Sequence, residues 1–166
     1  GNNKKFQCLI VDKTPDLHLT GDSQCFPFYT YTEDGQNRRE NITDWALNDF
    51  RQHHQDAGIS KWDIFHYVYG LLHSEQYRKT YAANLKRQLP HIPYAPDFWA
   101  FSNAGKQLAE LHIHYEQQPE FPLARIYAPD QPHDWKVKKM RLNKDKTAIL
   151  YNDWLTLNGI PPDVFE

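Results

Sequence analysis

The feature that most constrains the fold is a change of hydrophobic period along the chain. Between residues 42 and 115 the apolar side chains recur every three or four positions, as on a helix with one buried face. Before and after that block the repeat drops to two, the pattern of a strand with one covered face. Strands, then helices, then strands predict an α+β fold: a mostly antiparallel sheet formed from the N- and C-terminal segments, with a helical insertion packed against it.

The opening strands fall within residues 5–31, as "KFQCLIV" and "QCFPFYTY", with Pro15 and Gly21 supplying turn chemistry between them. "TEDGQNRREN" is a polar loop turning at Gly35. Strands resume at about 135–157, where "WKVKKMRL" and "TAILY" pair around the turn "NKDK" and "DWLTL" adds another before Asn158-Gly159. Trp135 and Val137 occupy odd positions, Met140 and Leu142 even ones, a parity break that predicts a β-bulge near Lys138 and Lys139.

Helices fill about 42–117. Asn41 or Thr43 caps the first, which buries Ile42, Trp45, Ala46 and Phe50. Ser60 caps the second, with Asp63 placed for a capping box, and Ile64, Phe65, Val68, Leu71 and Leu72 form one apolar stripe. Ser74 caps a third, lined by Tyr77, Tyr81, Leu85 and Leu89 and ended by Pro90. "PHIPYAPDFWAF" is extended, because each proline disfavours helix at the residue before it. A fourth helix from about Ser102 to Tyr115 carries Phe101, Ala104, Leu108, Leu111, His112 and Tyr115 on one side, and a Pro-rich link follows over 119–133.

The 166 residues suit one domain with a real core, and 24% charged against 40% apolar residues suits a folded chain. Net charge is −2, so a polyanion site has to be a local patch. Two cysteines, Cys8 and Cys25, are too few for a disulfide framework or a zinc site of their own. The apolar runs are too short to span a membrane, and no signal peptide precedes the fold. The ending "PPDVFE" starts a new element, so the chain reads as a piece of a longer protein.

Chemistry is harder to find. His112 and His114 point about 200° apart on a helix, and His66 and His73 lack a third ligand, so satisfied or surface histidines are expected rather than a metal centre. Pro96-Asp97 with Asp134-x-Lys136 imitates a nuclease signature, but no apolar strand leads into Asp134. No glycine-rich phosphate loop or nucleophile elbow is present, and no catalytic residue is assigned.

Two basic clusters remain. Between Asp134 and Lys146, six cations (Lys136, Lys138, Lys139, Arg141, Lys144 and Lys146) face two aspartates. A two-stranded ribbon carrying them fits a DNA groove or its phosphates, and it equally fits an edge strand guarded by lysine; the residues alone leave both open. The second cluster, Arg78, Lys79, Lys86 and Arg87, lies on the third helix opposite its Tyr/Leu face, where a solvated surface is the simpler reading.

Four ordered blocks, "TPDLHLTGDSQCFPFYTY", "ITDWALNDF…ISKWDIFHYVYGLLHSEQYRKTYAANLKRQLPHIPY", "DFWAFSNAGKQLAELHIHYE" and "AILYNDWLTLNGIP", resemble the C-terminal specificity (target-recognition) region of type ISP restriction–modification enzymes. The resemblance implies a module that reads double-stranded DNA in cis with an adenine-N6 DNA methyltransferase domain of the same polypeptide. It also implies a bacterial, cytoplasmic parent with nuclease and ATPase domains. S-adenosylmethionine, ATP and Mg²⁺ then belong to the parent, and this chain holds no cofactor. The alternative is a docking module that packs on the methyltransferase domain while other residues read DNA.

Overall fold

The computed structural model describes residues 6–16, 18–19, 24–137 and 139–165. The chain divides into two compact units, Gly1–Gln118 and Pro119–Glu166. The architecture is α+β, with the antiparallel strands divided between a two-stranded and a four-stranded sheet.

In the first unit, β1 (Tyr29–Thr30) pairs with β2 (Arg39–Glu40). The loop between them turns at Gly35, whose φ of 75° lies in the left-handed region. Beside it the Asp34 carboxylate accepts from the Thr32 hydroxyl and from the Gln36 N–H. The opening strand expected from "KFQCLIV" forms no ladder over residues 6–11 among the described residues. Its period of two is still expressed in burial: Phe6, Cys8 and Ile10 are half-buried, Gln7 and Leu9 exposed. Phe6 and Cys8 pack on the helical core, and the Ile10 N–H donates to the Tyr69 hydroxyl at 3.1 Å. A helical surface covers one side of this segment, so alternation alone does not identify a ladder.

The helices are α1 (Asp44–His54), α2 (Lys61–His73), α3 (Glu75–Thr80) and α4 (Phe98–Ile113). Thr43 caps α1, Ser60 and Asp63 form the capping box of α2, and Ser74 caps α3. On α2, Ile64, Leu71 and Leu72 are buried, with Phe65 and Val68 half-buried beside them; buried Tyr67 and Tyr69 complete the face. On α1, Phe50 is buried, but Trp45 is 75% exposed and lies outside the core. Helix α3 is shorter than the Tyr77–Leu89 pattern suggests: it ends at Thr80, and turns carry the chain through Arg87. Tyr77 is buried and donates to the His91 carbonyl at 2.7 Å, while Leu89 is exposed.

A second hydroxyl holds the proline-rich return further along. Tyr67 Oη donates to the Pro93 carbonyl at 2.6 Å and accepts from the Ala95 N–H at 2.7 Å. Because Pro93 cannot donate, a side chain from α2 supplies the bonding that a helix would have provided.

Helix α4 starts at Phe98, four residues ahead of Ser102, because the Asp97 carboxylate caps it by accepting from the Ala100 N–H at 2.9 Å. Its face is also rotated from the expected one. Phe98, Ser102, Gly105 and Ala109 are buried, whereas Ala104, Leu111 and Tyr115 are exposed. The cause is the closeness of α2. A Cβ at Gly105 would lie 1.9 Å from the His66 carbonyl oxygen, and one at Gly70 would lie 2.3 Å from that of Phe101. Small residues, not large apolar ones, define this contact, and Ser102 satisfies its hydroxyl on the Asp63 carbonyl at 3.0 Å.

The second unit is a sheet of order β3-β6-β5-β4, built from β3 (Ala124–Tyr127), β4 (Arg141–Leu142), β5 (Ala148–Leu150) and β6 (Leu155–Asn158). Strand β3 lies in the stretch expected as a Pro-rich link; four residues between Pro122 and Pro129 suffice for it. The expected pairing of "WKVKKMRL" with "TAILY" forms only at Arg141–Leu142, since residues 132–137 carry no ladder. The bulge expected near Lys138 and Lys139 rests partly on Lys138, which lies outside the described residues. Asn143 closes the β4–β5 turn, accepting from the Thr147 and Ala148 N–H groups at 2.9 and 3.1 Å. Gly159, with φ of 99°, ends β6.

Candidate nucleic-acid interface

The basic segment of the sheet unit is organised by the β5–β6 turn, Tyr151 to Trp154. Asn152 Oδ1 accepts from the Trp154 and Leu155 N–H groups at 2.9 and 2.8 Å, which folds the turn. Asn152 Nδ2 donates to the carbonyls of Asp134 and Lys136 at 2.6 and 3.2 Å. The Tyr151 hydroxyl donates to the intervening carbonyl, that of Trp135, at 2.8 Å. Trp154 is buried beneath this segment: the Trp135 ring meets it edge-on at 4.9 Å, and His133 stacks on it at 4.8 Å.

The structure thus places Lys136 at a tethered carbonyl and Arg141 on β4, directly opposite Leu150. Lys139 and Arg141 line one shallow depression with Leu150, Asn152 and Asp153. Lys136, Lys139 and Arg141 all have exposed side chains. Lys144 and Lys146 sit in the β4–β5 turn, where Lys146 adopts φ of 57° and its Nζ lies 5.3 Å from the centre of the Phe165 ring. Trp135, Val137 and Met140 alternate with the cations and are themselves exposed.

The second cluster is not presented as a unit. Arg78 is half-buried and its Nε donates to the Leu72 carbonyl at 2.7 Å, while Lys79 pairs with Glu75 at 2.7 Å. Lys86 and Arg87 are exposed on the turns after α3.

The histidines and aspartates weighed in the sequence have local roles. Tyr69 Oη and His112 Nδ1 share a hydrogen bond of 2.5 Å, and His73 Nδ1 bonds to the Tyr69 carbonyl at 2.9 Å. Burial lowers the pKa of His66 and of His73, since an imidazolium is costly to desolvate. Among the described residues, no three or more His, Cys, Asp or Glu side chains group as metal ligands. Asp97 caps α4, and Asp134 accepts from the Lys136 N–H at 2.8 Å. No helix among the described residues is long and apolar enough to cross a membrane.

Tyr151, Asn152 and Asp153 are absent from the residues that the sequence singles out. The available signal was an Asn directly after a strand, a residue whose side chain commonly bonds the backbone two positions on.

Comparison with known proteins identifies the family of the chain. No curated protein matches the chain. Three solved structures align over nearly all of it. A DrdV–DNA complex determined by cryo-EM has 39% identity and a TM-score of 0.86, covering 95% of this chain and 17% of its own. The ATP-dependent type ISP restriction–modification enzyme LlaBIII, bound to DNA, has 33% identity and a TM-score of 0.79, covering 98% and 11%. A nuclease-deletion mutant of the type ISP enzyme LlaGI, in complex with a DNA substrate mimic, has 33% identity and a TM-score of 0.73, covering 98% and 12%. The chain therefore spans less than a fifth of each matched protein. The type ISP C-terminal specificity domain matches residues 1–166, and the chain belongs to that family.

Proposed function

We propose that this specificity domain recognises double-stranded DNA sequence-specifically, in cis with an adenine-N6 methyltransferase domain of the same polypeptide. The observation that carries this reading is that the three similar structures are described as complexes with DNA or a DNA mimic, at 33–39% identity over at least 95% of this chain. In the reading, Lys136, Lys138, Lys139, Arg141, Lys144 and Lys146 contact phosphates, and nearby side chains meet base edges. Lys86 and Arg87 form a secondary contact with DNA or a neighbouring domain, in which Arg78 and Lys79 share less because each is already engaged within the helical unit. S-adenosylmethionine, ATP and Mg²⁺ act on other domains of a parent enzyme in the bacterial cytoplasm.

One observation favours a second reading. Trp135 and Met140 are 60% and 57% exposed, an apolar character that suits docking on the methyltransferase domain. Salt separates the two. A labelled mixed-sequence duplex titrated with the chain at rising salt should lose affinity with a log–log slope of roughly −0.9 per phosphate contacted. Absence of salt-dependent binding, together with tight capture of the purified methyltransferase domain, would put docking ahead.

A further inference from the structure

Asn152 makes four directed side-chain contacts. A carboxamide has two donors and an oxygen that accepts twice, and here all four capacities are used. The oxygen folds its own turn onto the Trp154 and Leu155 N–H groups. The nitrogen reaches across to the carbonyls of Asp134 and Lys136. With the Tyr151 hydroxyl on Trp135, the carbonyls of residues 134, 135 and 136 are all held by two adjacent side chains. These three residues belong to no ladder, so the tether takes the place of a strand partner.

The segment it holds carries Lys136 and leads on to Lys139 and Arg141. A chain this rich in like charge repels itself, and one left free to move would lose backbone entropy on binding. We propose that Asn152 is a positioning residue for DNA binding: its side chain fixes the basic segment on the β5–β6 turn, so that the cations meet a duplex already ordered. The inference rests on the DNA-binding reading above and adds to it a residue that carries no charge. Asp cannot do both tasks, because it keeps the acceptor and loses the donors; Ser has a single donor.

That asymmetry supplies the test. Asn152→Asp combined with Asp153→Asn keeps the composition and the local charge, retains the acceptor that folds the turn, and removes both donors to the basic segment. Two readouts are compared with the unaltered chain, on the same mixed-sequence duplex. Affinity should fall on the order of tenfold while the slope of log K against log salt is unchanged, because the same phosphates are still contacted. Amide hydrogen exchange in residues 134–141 should rise while that of β5 and β6 does not. Asn152→Ser, which restores one donor, should recover part of both effects. Equal affinity for the swapped variant, or a flattened slope, overturns the positioning role while the DNA reading stands. Absence of salt-dependent binding by the unaltered chain overturns the DNA reading, and the positioning role falls with it.

Discussion

The helical unit is built round a packed apolar cluster, whereas the sheet unit combines backbone ladders with polar side chains that pin its turns. In the first, Tyr67 and Ile59 are fully buried, and Phe50, Leu71, Tyr77 and Phe98 surround them in one cluster. In the second, the buried apolar residues are Ala148, Trp154 and Leu155, every residue of β3 is exposed, and Asn143 and Asn152 organise the turns. A close-packed core tolerates little change in volume. A sheet pinned by its turns leaves most side chains outside, where they are free to contact a ligand. The comparison predicts that substitutions in the helical unit cost stability and that those in the sheet unit cost binding.

The largest effect is expected where α2 and α4 touch. Gly105→Ala would drive a methyl group into the His66 carbonyl, which is backbone and cannot swing aside. A loss of about 4 kcal/mol is expected in urea unfolding. Leu71→Ala should cost about 3 kcal/mol, as a buried leucine leaving a cavity. Tyr67→Phe keeps the ring and strands the Pro93 carbonyl and the Ala95 N–H, for about 1–3 kcal/mol. Ile126→Ala on β3 should stay within about 0.5 kcal/mol. An Ile126 effect equal to that of Leu71 would break the contrast between the units.

Binding should invert that ranking. Replacing Lys139, Arg141 and Lys144 together with Ala should leave unfolding within about 1 kcal/mol, because all three side chains are exposed. The slope of log K against log salt should flatten by roughly two to three units if each contacts a phosphate. Neutralising Lys79, already paired with Glu75, should change the slope by about one unit at most. A loss confined to one DNA sequence would instead make one of the three, Arg141 first by its bidentate geometry, a reader of guanine.

The sequence made the helical unit more legible than the sheet unit, for reasons visible in single residues. Thr43, Ser60 with Asp63, and Ser74 act within three positions of themselves, so local pattern suffices for the caps. The α4 face was missed because hydrophobicity favours Leu111 and Tyr115 over Gly105 and Ser102, while the close approach of α2 demands the reverse. Trp45 is a large apolar residue at a helical period, yet nothing local tells which face a neighbouring helix covers. Charge drew attention to Lys136, Lys139 and Arg141, and composition carries that signal. The Asn152 tether spans 16 and 18 positions, a separation that neither period nor motif reports.

The smallest predicted effect tests the contrast through acidity. Burial, first, disfavours the imidazolium of His54, His66 and His73; the neighbouring His53, Lys106 and Arg78 respectively add to it. Their pKa values in the fold therefore lie below the ordinary histidine value. As pH falls, the unfolded chain takes up these protons first, so stability is complete above about pH 6.5 and declines below it. The carboxylates of Asp44, Asp56 and Glu75 are also held low, by hydrogen bonds from Lys61, Trp99 and Lys79, but their contribution fades only below about pH 4. All six groups belong to the helical unit, and the sheet unit contains a single histidine, His133. Between pH 7.5 and 5.5, hydrogen exchange corrected for its intrinsic pH dependence should show α1 and α2 opening more often, with β5 and β6 unaffected. His73→Phe keeps an aromatic ring beside Tyr69 and cannot take up a proton, so it should remove part of the acid response and none of the duplex affinity. Equal acid-induced opening in β5 and β6 would show that the two units do not respond separately, and the division between a packed unit and a binding unit would then lose its energetic basis.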